Sequence, residues 1–287
     1  MMWKPDICVY HFPCDDGFAS AWIARRKWPD VMLIPTNYGL PFPDVDISGK
    51  NVLIVDFSYK RDELIDLAKR AKSIVVLDHH KTAQFELAPE GYSLALSVLR
   101  EADHCGWGAH FDMNRSGAGL TWEFCFPGEP MPQLIKHVED RDLWRMALSN
   151  TRKVSLLLRS YPYDFEIWDK LCSEDTHSFA NLLADATSIE RFYDQKLAEI
   201  VPTATLKTVG KWSGVPVAHA PYAFASDLAH ELLKKNPDAP FAAVVIDAYG
   251  ARTYSLRSED SRQDVSEVAR MFGGGGHRNA AGFRVPV

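Results

Sequence analysis

The first half of the chain alternates two hydrophobic rhythms. Short apolar runs rich in β-branched residues, ICVY (7–10), VMLIP (31–35), NVLIVDF (51–57) and SIVVLDHH (73–80), read as strands. Between them, GFASAWIARRKW (17–28) and KRDELIDLAKRAK (60–72) carry apolar residues at helical spacing, as Leu64, Ile65, Leu67, Ala68 and Ala71 do. Strands that are apolar throughout, separated by amphipathic helices, predict a parallel sheet in a βαβ series. Helical spacing continues through SGAGLTWEFCF (116–126) and MPQLIKHVEDRDLW (131–144), which the Pro127-Gly128-Glu129-Pro130 break separates, and again over 165–200, where Pro202 stops it. Beyond it, the strand-like runs ATLKTV, VPVAHA, FAAVVIDAY and RTYSLRS alternate with the helical candidates ASDLAHELLKKN and VSEVARMF. The pattern predicts an α/β protein with a larger parallel-sheet domain over 1–184, a helical linker over 185–202 and a smaller α/β domain over 203–287.

Composition narrows the class. At 287 residues the chain exceeds what one compact core usually fills. Its 46% hydrophobic and 24% charged content is that of a globular protein, with no run near the roughly 20 apolar residues of a membrane span. The N-terminal stretch lacks the basic and apolar regions of a signal peptide, so a cytoplasmic protein without membrane attachment is expected. Five cysteines with no CxxC pair argue against both a disulfide framework and a structural zinc ribbon. A formal net charge of -6 gives no basic footprint for a long duplex. For an anionic ligand, positive charge must therefore be local, from metal or from a few placed Arg, Lys and His.

Three predicted strands end in the same chemistry. ICVY runs into His11, Cys14, Asp15 and Asp16; NVLIV runs into Asp56; SIVVL runs into Asp78, His79 and His80. In an open parallel α/β sheet the ligand crevice lies beyond the carboxyl ends of the strands, so these groups would converge. One Asp after a strand is ordinarily a turn or cap residue, but a strand leading into an acid and two imidazoles offers metal-binding capacity and little folding advantage. A carboxylate and imidazole set suits Mn²⁺, Mg²⁺, Fe²⁺ or Co²⁺. Two such ions roughly 3.5–4 Å apart, bridged by a shared carboxylate, are an economical arrangement for phosphate-ester hydrolysis.

LDHHK is the signature of the DHH phosphoesterases, and the order of HFPCDDG, VDFS, LDHHK and VEDRDLW resembles that superfamily's four motifs. YSLRS followed by MFGGGGHRNAAGF resembles its associated substrate-binding domain. The resemblance implies a larger parallel α/β domain holding two metals, and a smaller α/β domain that closes over the substrate. It implies Asp56 as the bridging carboxylate, and His79 on the second metal with Asp16 and an acid of VEDRD, Asp140 in preference to Asp142. His80 would face the substrate and Asp78 would orient a histidine by hydrogen bond. The opening motif departs from the family's usual histidine followed by Asp-x-Asp. Either the first metal takes His11, Asp15 and Asp56, or it takes a thiolate from Cys14, which would bias it toward Zn²⁺ or Fe²⁺, or it is weakened.

In the C-terminal segment the glycines Gly274, Gly275 and Gly276, with His277 and Arg278 beside them, are candidates to contact phosphate. The resemblance places Arg257 and Ser258 next to that loop, and Arg257 could hold a phosphate through two hydrogen bonds. Arg115 is a further candidate for the substrate, while Ser116 fits a helix N-cap. His104, Cys105 and His110 flank CGWG at poor ligand spacing, which reads as a loop. The expected function is a metal-dependent phosphodiesterase of exonuclease type acting on short single-stranded oligonucleotides or linear dinucleotides. The alternatives are a phosphatase acting on a bisphosphorylated nucleotide, a cyclic-dinucleotide phosphodiesterase, or a nucleotide-binding module weakened at Cys14.

Overall fold

The structure, a computed structural model, describes residues 3–88, 93–101, 106–172, 176–248 and 250–286, the side chains of 176–178 excepted. It contains two compact units, Met1–Ile189 and Glu190–Val287. In the first unit the order is β1 (Ile7–His11), α1 (Asp15–Lys27), β2 (Met32–Thr36), β3 (Asn51–Val55), α2 (Arg61–Ala68), β4 (Ser73–Asp78), α3 (Lys81–Leu87), α4 (Leu96–Leu99), β5 (Gly106–Phe111), α5 (Gly117–Cys125), α6 (Gln133–Asp142), α7 (Thr151–Leu158) and α8 (Phe165–Leu171). The helix α9 (Thr176–Ile200) contains the division between the units, which also lies inside 185–202.

The sheet order is β2-β1-β3-β4-β5 and every pair is parallel. The two-residue period of the strands sorts their side chains onto opposite faces. Cys8, Tyr10, Leu53, Val55, Val75 and Leu77 join a core with Phe18 and Trp22 of α1, Leu120 of α5 and Leu134 of α6. Ile7, Val9, Val52, Ile54, Ile74 and Val76 join another with Leu64 and Leu67 of α2. Both faces are covered, which is why NVLIV and SIVVL show no polar alternation. Strand order reverses at β1, whose neighbours are β2 and β3, and the carboxyl ends there form the switch-point crevice.

Two elements depart from the sequence reading. GWGAHF is the edge strand β5, paired with β4 from Ser73↔Gly106 to Asp78↔Phe111, where a loop was expected. Gly108 leaves room there for Leu94 and Leu99, whose side-chain carbons would lie 2.8 and 2.6 Å from an added Cβ. His110 sits in that strand with Nδ1 2.7 Å from the Leu94 carbonyl; His104 and Cys105 lie outside the described residues. The helix α7 was not anticipated either, and the long helical stretch expected over 165–200 includes both α8 and α9.

The second unit follows α9 with β6 (Thr205–Val209), β7 (Trp212–His219), α10 (Ala225–Lys235), β8 (Ala242–Ala248), β9 (Ala251–Arg257), α11 (Val265–Met271), β10 (Gly275–Gly276) and β11 (Ala280–Pro286). Its sheet runs β10-β11-β9-β8-β7-β6, with only β7 and β8 parallel. Val217, Phe241, Val245, Leu256, Val268 and Phe283 belong to its core. No helix among the described residues is long and apolar enough to cross a membrane.

Candidate metal centre

His11 ends β1, Asp56 follows β3, Asp78 ends β4, and His79 comes directly after it. Asp56 has a left-handed backbone, φ 53°, a conformation Asp adopts more readily than most residues, while its amide still donates to the Leu77 carbonyl at 3.0 Å. The turn leaves the two carboxylate oxygens facing different partners. Asp56 Oδ1 lies 3.1 Å from His79 Nε2, and Oδ2 lies 3.4 Å from His11 Nδ1. His79 Nε2 also stands 3.6 Å from Asp16 and 3.5 Å from Asp142. Potential ligand atoms fall into the sets His11–Cys14–Asp56, Asp16–His79–Asp142 and Asp56–Asp78–His80, the atoms of each within 4.8 Å of one another.

Asp16 is held from behind. The amides of Gly117 and Ala118, at the start of α5, donate to its oxygens at 2.6 and 3.0 Å, a helix N-terminus fixing an anion. A carboxylate has about four lone-pair directions, so both oxygens keep acceptor capacity toward His79. This approach requires Gly117: a Cβ there would come 2.5 Å from the Asp56 Cβ and 2.9 Å from Asp16 Oδ2. Gly117→Ala is expected to cost about 1–3 kcal/mol through overpacking and to weaken cation binding. Urea denaturation and a metal titration check this, and wild-type values in both would count against the packing described.

The electrostatics of the cluster are those of crowded acids. Burial, then Asp142 and Asp56, push Asp16 well above the usual carboxylate range, and burial and Asp56 raise Asp142 too. Burial would lower His79, but Asp56, Asp142 and Asp16 outweigh it and push it up to about 10. Asp56, although burial opposes this, is held far below the usual range by His11 and His79. Burial and the same carboxylates push the Cys14 thiol up. His11 Nδ1, Asp56 Oδ2 and Asp78 Oδ2 are buried without a hydrogen-bond partner among the described residues. Orphaned acceptors and imidazole beside crowded carboxylates fit divalent cations, which would displace the protons that offset this charge.

No family model matches the chain. It is 32% identical over 297 residues to the uncharacterized protein R106 of Acanthamoeba polyphaga mimivirus, covering 97% of this chain and 67% of that protein. It is 25% identical over 234 residues to the oligoribonuclease NrnB of Bacillus subtilis (strain 168), covering 74% of this chain and 53% of that protein. The chain thus spans about half the length of the second relative and two thirds of the first. Among solved structures, the DHH domain of a member of a ribosomal-protein family superposes with a TM-score of 0.57 at 13% identity, over 97% of this chain and 82% of that one. The chain belongs to the same family as the mimivirus protein and has the fold of that DHH domain.

Within the DHH motif itself, Asp78 Oδ1 accepts from the amides of His79 and His80 at 2.7 and 3.2 Å and lies 2.7 Å from His80 Nδ1. The aspartate therefore fixes the orientation of His80. The opening motif resolves differently from the count that put Asp15 in the site. Asp15 faces away, with Tyr163 Oη donating to it at 2.9 Å and Arg159 Nε at 3.3 Å, while the Cys14 sulfur joins His11 and Asp56. In VEDRD the structure gathers Asp142 instead of Asp140. The Asp140 carboxylate accepts from the amides of Ala147 and Leu148 at 3.0 and 3.1 Å and from Thr151 Oγ1 at 2.5 Å, tying α6 to the start of α7.

Arg115, expected near substrate, donates to Glu139 and Glu123 at 2.7 and 2.6 Å and to the Gly119 carbonyl at 3.0 Å. Ser116 caps α5, accepting from the Gly119 amide at 3.1 Å. In the second unit, Arg257 donates to Ser226 Oγ at 2.7 Å and to the Leu256 carbonyl at 2.8 Å, and Ser258 is buried. Gly275 and Gly276 form β10 against β11, and a Cβ on Gly274 or Gly276 would come 2.1 or 2.6 Å from the carbonyl oxygen of Gly282 or Ala280. Close packing of this hairpin requires glycine at 274 and 276. His277 donates its amide to the Ala280 carbonyl, and Arg278 donates to the carbonyls of Asp260 and Arg262 at 2.8 and 3.3 Å.

The sequence reading missed three residues. Glu139 is buried and accepts from the Ser116 amide as well as from Arg115, anchoring the start of α5. Asn37 and Tyr38 follow β2, a fourth strand ending at the same edge. Tyr38 keeps 48% of its surface exposed, with its ring edge-on to those of His11 and His80 at 5.2 and 5.7 Å. The turn residues Asn37 and Gly39 around it were the available signal.

Proposed function

We propose that this chain is a metal-dependent phosphodiesterase that hydrolyses short single-stranded oligonucleotides or linear dinucleotides. The observation that carries the reading is Asp56, whose two oxygens face two distinct sets of potential ligands. In this reading two divalent cations would share Asp56, one held also by His11 and the other by Asp16, His79 and Asp142. Bound there, the cations supply stabilisation of charge on phosphoryl oxygens and a water acidic enough to attack near neutral pH. The α5 amides hold Asp16 in place and Asp78 orients His80 through Nδ1, so that the His80 imidazole would exchange a proton with the reacting ester or leaving group.

Tyr38 supports a nucleotide substrate over inorganic polyphosphate, since an exposed ring beside His11 and His80 offers a stacking face for a base. The similarity to an oligoribonuclease supports the same substrate class. The test is a panel with added Mn²⁺: RNAs of two to five nucleotides, a cyclic dinucleotide and a bisphosphorylated nucleotide. Linear short RNAs are expected to turn over fastest, and Tyr38→Ala to raise KM roughly tenfold from a stacking loss of about 1–3 kcal/mol. Preference for the cyclic or bisphosphorylated compound would replace this reading with the corresponding enzyme, and nucleotide binding without turnover would leave a binding module.

A further inference from the structure

We infer that the His11 side of the centre is a mixed imidazole, carboxylate and thiolate site in which Cys14 is a protein ligand, so that this side selects thiophilic ions. Cys14 occupies the N-cap of α1, a position where Ser, Thr, Asp and Asn are strongly preferred. Cysteine is not among those residues, so the preference for this position does not by itself account for it. The sulfur instead lies within 4.8 Å of ligand atoms on His11 and Asp56. The two nearest atoms of these partners, His11 Nδ1 and Asp56 Oδ2, lie 3.4 Å apart and neither makes a hydrogen bond of ordinary geometry among the described residues, the latter on a side chain only 2% exposed. The competing carboxylate, Asp15, is engaged by Tyr163 and Arg159.

The consequence is two unlike sides sharing one carboxylate. Asp16, His79 and Asp142 offer only oxygen and nitrogen, which suit Mn²⁺ or Mg²⁺. A thiolate added to imidazole and carboxylate shifts preference toward Zn²⁺, Co²⁺ or Fe²⁺. Cys8, Cys125 and Cys172 are buried and belong to the apolar core, and none of them joins these ligand sets.

The proposal rests on the two-cation reading above but not on the substrate, and its readout is spectroscopic, so the two can fail separately. Co²⁺ added to the metal-depleted, full-length protein is expected to give a thiolate-to-cobalt charge-transfer absorption in the near ultraviolet. Cys14→Ser should abolish that band and Asp15→Asn should retain it. Cys14→Asp, which keeps an anionic ligand and controls for folding, should lose the band yet still bind cation. Its preference for Zn²⁺ over Mn²⁺ should fall by about tenfold or more, the scale on which even outer partners of metal ligands act. A wild-type protein without the band, a band surviving Cys14→Ser, or a band lost in Asp15→Asn would overturn the assignment.

Discussion

Asp56→Asn is expected to lower turnover of a short oligonucleotide by about 10³-fold or more and to reduce bound metal below two ions per chain. The magnitude follows from removing one preorganised charge at a reacting phosphate, which alone slows enzymes by about 10²–10³-fold. Asparagine keeps one acceptor oxygen, and its amide would turn donors toward His11 or His79, where the structure has carboxylate oxygens 3.4 and 3.1 Å away. Both sides of the centre would suffer at once. Steady-state kinetics with elemental analysis of the purified variant measures this, and wild-type activity with two metals bound would remove Asp56 from its bridging role.

The second large effect separates two acids in one motif. Asp142→Asn should lose about 10²-fold or more in turnover with little change in stability, because Asp142 stands 3.5 Å from His79 and closes one ligand set. Asp140→Asn should do the reverse, retaining activity while losing about 1–3 kcal/mol of stability through the amides and hydroxyl left poorly paired. Burial alone would raise Asp140, but Thr151, Leu148 and Ala147 outweigh it and hold the carboxyl below its usual range. A depressed acid stabilises the fold above its unfolded pKa, and that contribution disappears as pH falls through the folded value. The stability gap between wild type and Asp140→Asn should therefore narrow in acid. Urea titrations at neutral and acidic pH, beside kinetics of both variants, check the pair, and inactivation by Asp140→Asn at full stability would reverse the assignment.

Much of the centre was legible because strand ends converge in a parallel sheet whatever the strand order. His11, Asp56 and His79 needed only that rule, since each follows an unmistakable apolar run. Cys14 and Asp15 could not be ranked by counting along the motif. The choice depends on how α1 starts: Cys14 is the cap, and the adjacent acids of the first turn diverge, Asp16 toward α5 and Asp15 toward Tyr163. Asp142 carried no such signal: α6 buries Leu134, Ile135, His137, Val138, Glu139, Asp140 and Arg141, so burial along the helix points to Asp140 before Asp142. β5 escaped because its glycines break the apolar run, and only pairing with β4 makes it a strand. The glycines of the C-terminal hairpin were read for phosphate contact, and the close approach of β10 to β11 makes a separate demand on Gly274 and Gly276.

Anomalous diffraction from crystals of the protein soaked in Co²⁺, which suits both ligand sets, tests the central claim most directly. The account predicts two peaks on opposite sides of the Asp56 carboxylate, one with His11 and the other with Asp16, His79 and Asp142. A single peak, or peaks at Asp140 or Asp15 in place of these, would contradict it.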